Sequence, residues 1–338
     1  MAVTIKELAK RLEVSSATIS RALNMEKGVT EEMRQRVVTL ARELNYQPNL
    51  QAKGLVARKT NAIGVIIPQT AEFAFANTFY SEVLKGIIKA ANQADYFILL
   101  SLAEREDYAR SYRRSLTSGL IVIANRLDDP KLRALEKGDI PIVLTPGYLE
   151  RKIFPSVDVD NTGGFFQATS FLIRLGHKKI GLIDGPQNSK ISIGRKAGYL
   201  RALKENGFPQ REDWIFEGDF SQEAGVRAIQ AFLNHPDPPT AILTVNDFTA
   251  IGALYEAKRV GLRIPEDLSI VGFGDIPFAP LTDPPLTTVR APYQKLGETL
   301  TKITIQLIEG RRPAKKHTLL PVELIERKST TPAPSVEG

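Results

Sequence analysis

Ser16, Ala17, Ser20 and Arg21 fall at spacings that share one face of a short helix, and their chemistry is that of contact rather than bond-making. The side chains are small or hydrogen-bonding, which suits a helix lying in a DNA major groove; Ala17 is limited there to apolar contact, such as a thymine methyl. A helix from about Ser16 to Asn24 must present them, capped by Ser15, with Ile19 and Leu23 facing inward. It is preceded by another: Thr4 and Glu7 have capping-box spacing, and Ile5, Leu8, Ala9 and Leu12 form an apolar stripe. Glu13 and Val14 make the turn. A third helix, Glu31 to about Asn45, follows a Thr30 cap and brings Val37, Leu40, Ala41 and Leu44 to close a three-helix core.

Charge agrees with this reading. Residues 1–59 carry 11 Lys/Arg against 6 Asp/Glu, whereas the remaining residues carry 34 against 32. A basic excess concentrated in under a fifth of the chain is the footprint of a phosphate-binding module, although a merely solvated basic face would give the same count. Many helix pairs in ordinary domains never meet DNA. Here the pattern of Ala9, Val14, Ser15 and residues 18–21 (TISR), followed by residues 45–49 (NYQPN), resembles the headpiece of the lactose/galactose-repressor family of bacterial transcription regulators. Glu13 departs from the glycine usual in that family's turn; a left-handed residue there costs on the order of 1 kcal/mol. The resemblance adds Thr4, Ser15, Thr18 and Asn24 to the expected DNA-contacting set.

Residues 46–59 join head to body. Pro48 stops the third helix and Asn49 can cap a new one of about two turns, too short to stand alone in water. Gly54 weakens it by a further ~1 kcal/mol. In the resembling family this is the hinge helix, two copies of which fold together in the minor groove while a leucine from each wedges a base step open. Leu55 occupies that position, with Asn49, Ala52, Lys53 and Arg58 expected beside the DNA; packing of Leu55 on the body is the alternative.

From Ala62 onward, short apolar runs alternate with helical stretches. Strands are expected at 62–67, 96–102, 120–123, 141–144 and 156–159, then at 179–184, 214–217, 241–245 and 268–273. Helices are expected at 80–94, 163–175, 192–206, 222–233 and 248–260. Apolar strands separated by helices indicate parallel sheets covered on both faces, and the two series imply two doubly wound α/β subdomains. Ligands of such sheets bind beyond the carboxyl ends of the strands, which places a site in the cleft between them.

Residues 63–68 (IGVIIP), 175–186 (LGHKKIGLIDGP), 195–199 (RKAGY), 246–247 (ND), 271–277 (VGFGDIP) and 285–290 (PLTTVR) resemble the same family's effector core. The resemblance implies a periplasmic-binding-protein-like body at 61–328, in which subdomain one takes about 61–160 and 291–319 and subdomain two about 161–290 and 320–328. It also implies a DNA-binding head at 1–46, a linker at 47–60 and a disordered tail at 329–338. Arg195, Asn246, Phe79 and Asp275 are the expected effector-binding residues. Arg195 offers a planar fork of donors, and Asn246 offers a donor and an acceptor but could equally cap a helix. Phe79 sits where relatives stack an aromatic on a sugar ring. Gly274 stands where relatives that bind simple sugars carry aspartate, so a sugar or sugar derivative leads while a nucleoside or another small polar metabolite stays open.

The expected function is a ligand-responsive repressor, a homodimer reading a near-palindromic DNA operator. A solute-binding protein built on the body alone would leave residues 1–59 unexplained. An enzyme has no support: there is no glycine-rich dinucleotide loop or Walker loop, and His177, His235 and His317 have no metal or triad spacing. No metal or cofactor is expected. The chain has no cysteine, no run of about 18 apolar residues and no apolar leader at its start, which together favour the cytoplasm.

Overall fold

The computed structural model describes residues 3–23, 25, 27–44, 46, 60–102, 107–123, 129–135, 138–146 and 154–334. They belong to two units, Met1–Thr60 and Asn61–Gly338. In the head unit Thr4 Oγ1 accepts the Glu7 backbone N–H at 3.4 Å and starts α1 (Ile5–Leu12). Glu13 takes the left-handed conformation, φ 54° and ψ 39°, and the Val14 amide closes the turn on the Ala9 carbonyl at 3.1 Å. Ser15 Oγ then accepts the Thr18 N–H at 3.1 Å at the start of α2 (Ser16–Leu23). Thr30 caps α3 (Glu31–Glu43), whose first turn places Glu31 and Glu32 at the positive end of the helix dipole. Leu8, Ala9, Ile19, Ala22, Val37 and Ala41 are the buried centre. Ala22 is the residue the apolar stripe did not single out; Leu23 packs at the rim instead.

The larger unit begins with β1 (Ala62–Ile66), α4 (Ala71–Ala76), α5 (Thr78–Gln93), β2 (Phe97–Ser101), α6 (Arg110–Arg113), β3 (Gly119–Ile123), α7 (Pro130–Leu135), β4 (Ile142–Thr145) and β5 (Ser156–Val159). The chain then crosses to a second lobe: α8 (Asn161–Arg174), β6 (Ile180–Asp184), α9 (Lys190–Glu205), β7 (Ile215–Glu217), α10 (Gln222–Leu233), β8 (Ala241–Thr244), α11 (Asp247–Arg259), β9 (Ser269–Gly274) and β10 (Thr287–Arg290). It crosses back into α12 (Tyr293–Ile308) and β11 (His317–Leu320), and a third time into β12 (Glu323–Ile325).

Among the described residues each lobe holds a six-stranded sheet, in the order β11-β5-β4-β3-β1-β2 in the first and β12-β10-β9-β8-β6-β7 in the second. Every pairing is parallel except β10 with β12. Strands β3, β4, β6, β8 and β9 are buried along their whole length, as sheets covered by helices require. No helix of the described residues is long and apolar enough to cross a membrane.

The disordered tail expected at 329–338 needs correction for residues 329–334. Ser329 is fully buried: its Oγ accepts the Thr287 N–H at 2.8 Å and donates to the Ile270 carbonyl at 2.6 Å, while its own carbonyl accepts the Ile270 N–H at 2.8 Å. The Thr331 carbonyl lies 3.0 Å from Nε2 of the buried His177, and the Ala333 amide reaches the Leu175 carbonyl at 2.8 Å. A polar Ser-Thr-Thr run looks like a tail, but these hydroxyls and amides bond the exposed end of the β9–β10 pair. Ending the chain at Lys328 orphans the buried N–H groups of Ile270 and Thr287, and should cost at least about 2 kcal/mol. A thermal melt of the truncated protein that matches the full chain would show that the strap carries no stability.

Candidate functional site

In the head, α2 presents Ala17 and Arg21 exposed, with Ser16 and Ser20 half-buried on the same side. The four share a face because 16/20 and 17/21 are one turn apart, and because Ile19 and Ala22 are drawn into the core opposite. Thr4, Ser15 and Thr18 are engaged first in building the motif. Thr4 and Ser15 cap the two helices, and Ser15 Oγ also lies 2.9 Å from Thr18 Oγ1. Asn24, Asn49, Ala52, Lys53, Leu55 and Arg58 lie outside the described residues.

In the core, β1, β3 and β4 of one lobe and β8 and β9 of the other end on a shared cleft. Its empty volume, open mouth included, is about 700 Å³. Phe79, Arg195 and Asn246 all line it. Phe79 follows the Asn77 cap of α5 and packs edge-on against Tyr80 and Tyr293, with ring centres 5.0 Å away in each case. Asn246 is indeed the cap of α11: its Oδ1 accepts the Thr249 N–H at 2.7 Å, and its Nδ2 donates to the Phe220 carbonyl at 3.2 Å. Both readings of Asn246 therefore coexist geometrically. Holding Phe220 matters because that residue is left-handed, φ 69°, and lines the cleft.

Arg195 is almost fully buried. Its Nε donates to Asn161 Oδ1 at 2.8 Å, its Nη1 to the Val245 carbonyl, and its guanidinium lies 3.7 Å from the centre of the Phe273 ring. The Tyr293 hydroxyl lies beside it and favours its charged form. Burial lowers the pKa of the guanidinium, opposed by Tyr293 and by the charges of Asp247 and Asp184. An arginine remains charged through such a shift.

Asp275 is not a cleft residue. Its carboxylate is held by Arg290 Nε at 2.7 Å and Arg327 Nη2 at 2.6 Å, on the side of β10 and β12. The residues that fill the expected role of cleft wall beneath Gly274 are Asp247 and Tyr293. A side chain at position 274 would begin 3.3 Å from Asp247 Oδ2 and 3.4 Å from the Tyr293 hydroxyl. Asp247 is fully buried, accepts from the Ile276 N–H at 2.9 Å and from the Thr288 hydroxyl, and has its pKa pushed up to about 6, chiefly by burial. Asp247, Tyr293 and Phe220 are not among the effector-binding residues expected from the sequence. Tyr293 had one available signal, its place directly after the second crossing; Phe220 had none, since its left-handed backbone is a tertiary outcome.

The raised Asp247 pKa has a sign that can be measured. The folded state holds this proton more tightly than the unfolded chain, so ionisation costs stability increasingly as pH rises from about 4 to about 6, and fully above that. Replacing Asp247 with Asn removes this pH dependence. Between pH 5 and pH 7.5 the stability of Asp247→Asn relative to the native protein should rise by roughly 1 kcal/mol. A difference in denaturation midpoints that stays flat over that range would contradict it. Among the described residues no group of His, Asp and Glu side chains is arranged to hold a metal ion.

A trihelical head with an exposed polar face on α2, in one chain with a two-lobed α/β body that has a cleft at its strand ends, defines the class of DNA-binding regulators with an effector-binding core. Comparison with known proteins agrees. The profile described as "Bacterial regulatory proteins, lacI family" matches residues 4–49, and a periplasmic binding protein-like domain matches residues 169–330. The HTH-type transcriptional repressor CytR of Escherichia coli (strain K12) is 33% identical over 338 residues, covering 98% of each chain. The lac repressor dimer bound to operator and the anti-inducer ONPF superposes with a TM-score of 0.86 at 30% identity, covering 98% of this chain and 100% of that one. A complex of the transcriptional regulator CelR with cellobiose gives a TM-score of 0.75 at 28% identity, covering 97% and 99%. The chain belongs to the lacI family of bacterial regulatory proteins, and its function is transcription regulation rather than catalysis.

Proposed function

We propose that this regulator is a homodimeric repressor of carbohydrate-utilisation genes, released from or driven onto a near-palindromic operator by a sugar or sugar derivative bound in the cleft. The observation that carries the reading is the cleft itself, walled by both lobes, which three chain segments connect, in a chain that also carries a head whose α2 offers Ser16, Ala17, Ser20 and Arg21. A ligand touching both lobes favours their closed arrangement by its differential affinity, and so biases whatever the lobes are attached to. Arg195 and Asn246 supply directional polar groups, and Phe79 a flat apolar face. The cellobiose bound by CelR supports a sugar. The aromatic character of the wall, with Phe79, Phe220, Phe273 and Tyr293, together with glycine at 274, favours a nucleoside as the second reading.

Dimerisation is supported by an exposed apolar strip on the first lobe. Edge strand β2 leaves Phe97 68% exposed, with Leu99, Leu100 and Ile88 of α5 also exposed, a pattern that unpaired edges of monomers avoid. Two-fold symmetry then sets two heads on two half-sites. Such a protein acts in the bacterial cytoplasm, at the nucleoid.

Fluorescence anisotropy with genomic fragments should give tight, steeply salt-dependent binding to a few sequences, and Arg21→Ala should weaken it by about 1–3 kcal/mol while relaxing its specificity. Leu55→Ala should impair operator binding and leave cleft affinity intact. A thermal-shift screen of sugars against nucleosides separates the two effector readings. A protein that never prefers one duplex over random competitor, with or without these compounds, would defeat the proposal.

A further inference from the structure

The parallel strands of the first lobe point their carboxyl ends at the cleft, so their amino ends gather on the opposite edge. Hydrogen bonds fix which segments meet there. The Ser118 amide bonds the Ala62 carbonyl at 2.8 Å, the Phe97 amide bonds the Asn61 carbonyl at 2.7 Å, and the Ser156 amide bonds the Lys316 carbonyl at 2.8 Å. Gly119, which opens β3, packs directly on Ile308 at the end of α12. The loop from α12 to β11 therefore lies on this edge, together with α6 and the turn after it.

Both segments are basic. The loop exposes Arg311, Arg312, Lys315 and Lys316; the turn exposes Arg110, Arg113 and Arg114. Opposing them on the same edge are Asp95, Asp107, Asp139 and Glu309, of which Asp107 pairs with Arg113 and Glu309 with Arg311. Among the described residues named here the seven cations outnumber the four anions by three. This edge is thus locally basic in a core whose sequence from residue 60 to residue 338 is nearly balanced, with an excess of only two.

That edge is also where the chain arrives from the head, at Asn61. Thirteen residues, 47–59, separate the described end of the head from Thr60, a length of chain that can reach at most about 45 Å. A duplex gripped by the head is covalently linked to this edge through no more than that length of chain, and a weak electrostatic contact then counts for more than it would between separate molecules.

We propose that this basic edge of the first lobe is a second, sequence-independent DNA contact, in which Arg312, Lys315 and Lys316 neutralise backbone phosphates beyond those reached by the head. The inference rests on the DNA-binding function of the chain and extends it to the effector core. Neutralised phosphates release counterions, so each contact steepens the dependence of log affinity on log salt by about 0.9.

The test compares the full chain with R312S/K315S/K316S and with K178S/K204S/K328S, an equal charge change at exposed lysines of the second lobe. Anisotropy is read on a random-sequence 40-bp duplex from 50 to 200 mM KCl, after thermal melts establish that both variants are folded. The edge variant should bind at least tenfold more weakly at 50 mM, with a salt slope shallower by about 2.7, and the control should match the native chain. An edge variant indistinguishable from native would overturn the inference and leave the face solvated or reserved for an anionic protein. Equal losses in both variants would also overturn it, because net charge alone would then explain the effect. If the native chain itself shows no affinity for DNA, the functional reading falls and the inference with it.

Discussion

Gly86→Ala should destabilise the core by about 3 kcal/mol, although alanine is the better helix former by ~1 kcal/mol. The reason is a helix crossing made by glycine on both sides. A Cβ on Gly86 of α5 would lie 1.9 Å from the Gln294 carbonyl oxygen of α12, and one on Gly297 would lie 2.1 Å from the Val83 carbonyl oxygen. The obstacles are backbone atoms, which cannot rotate away, so the helices must separate and the buried residues between them lose contact. The second lobe repeats the device: a Cβ on Gly252 of α11 would come within 1.9 Å of the Gln222 oxygen, and one on Gly225 of α10 within 2.1 Å of the Thr249 oxygen. Gly194→Ala is the contrasting case. It sits in α9 with nothing nearer than 3.5 Å, and should be neutral or stabilising by up to ~1 kcal/mol. Urea denaturation of the two variants decides the matter; similar midpoints would mean that the helix crossings yield more easily than close packing allows.

Arg195→Ala should cost about 3–5 kcal/mol and abolish the response to any cleft ligand. Its guanidinium bonds Asn161, the first residue of α8 after the β5 crossing, and lies against Tyr293, the first residue of α12 after the β10 crossing, whose hydroxyl favours its charged form. It also holds the Val245 carbonyl at the end of β8 and supplies the positive charge facing buried Asp247 and Asp184. One side chain thereby joins the cleft wall to two of the three segments that connect the lobes. Its removal leaves a buried carboxylate without its balancing charge and a buried carbonyl without its donor. Arg195→Lys should recover less than half the loss, since one ammonium cannot reach Asn161 and Val245 in the geometry of a planar fork. An alanine variant as stable as the native protein would show that these bonds are incidental.

Much of the head was legible in the sequence because its determinants are local. Thr4, Ser15 and Thr30 cap within three residues of themselves, and Ile19 and Val37 are placed by helical period alone. The alternation of apolar strands and helices likewise fixed the class of the core, since a strand buried on both faces must be apolar throughout. Asn246 and Phe79 reach the cleft from the starts of helices and Arg195 from the second turn of α9, where position along the chain predicts position in space. What remained hidden depends on partners distant in sequence. Asp275 looked like a cleft carboxylate until Arg290 and Arg327, 15 and 52 residues away, were found to hold it. Ser329 looked like the start of a tail because its partners, Ile270 and Thr287, belong to strands far upstream.

The amino-acid order alone therefore settled that three helices and two parallel sheets would form, because caps, helical stripes and apolar runs act over a few residues. Only the tertiary structure decided which charges meet. It buried Asp247 beside Arg195, turned Asp275 away from the cleft onto Arg290 and Arg327, and gathered the cations of two separate segments on the edge where Asn61 enters. Electrostatic partners are chosen by through-space distance, and no spacing along the chain encodes that distance once the strands have been ordered into sheets.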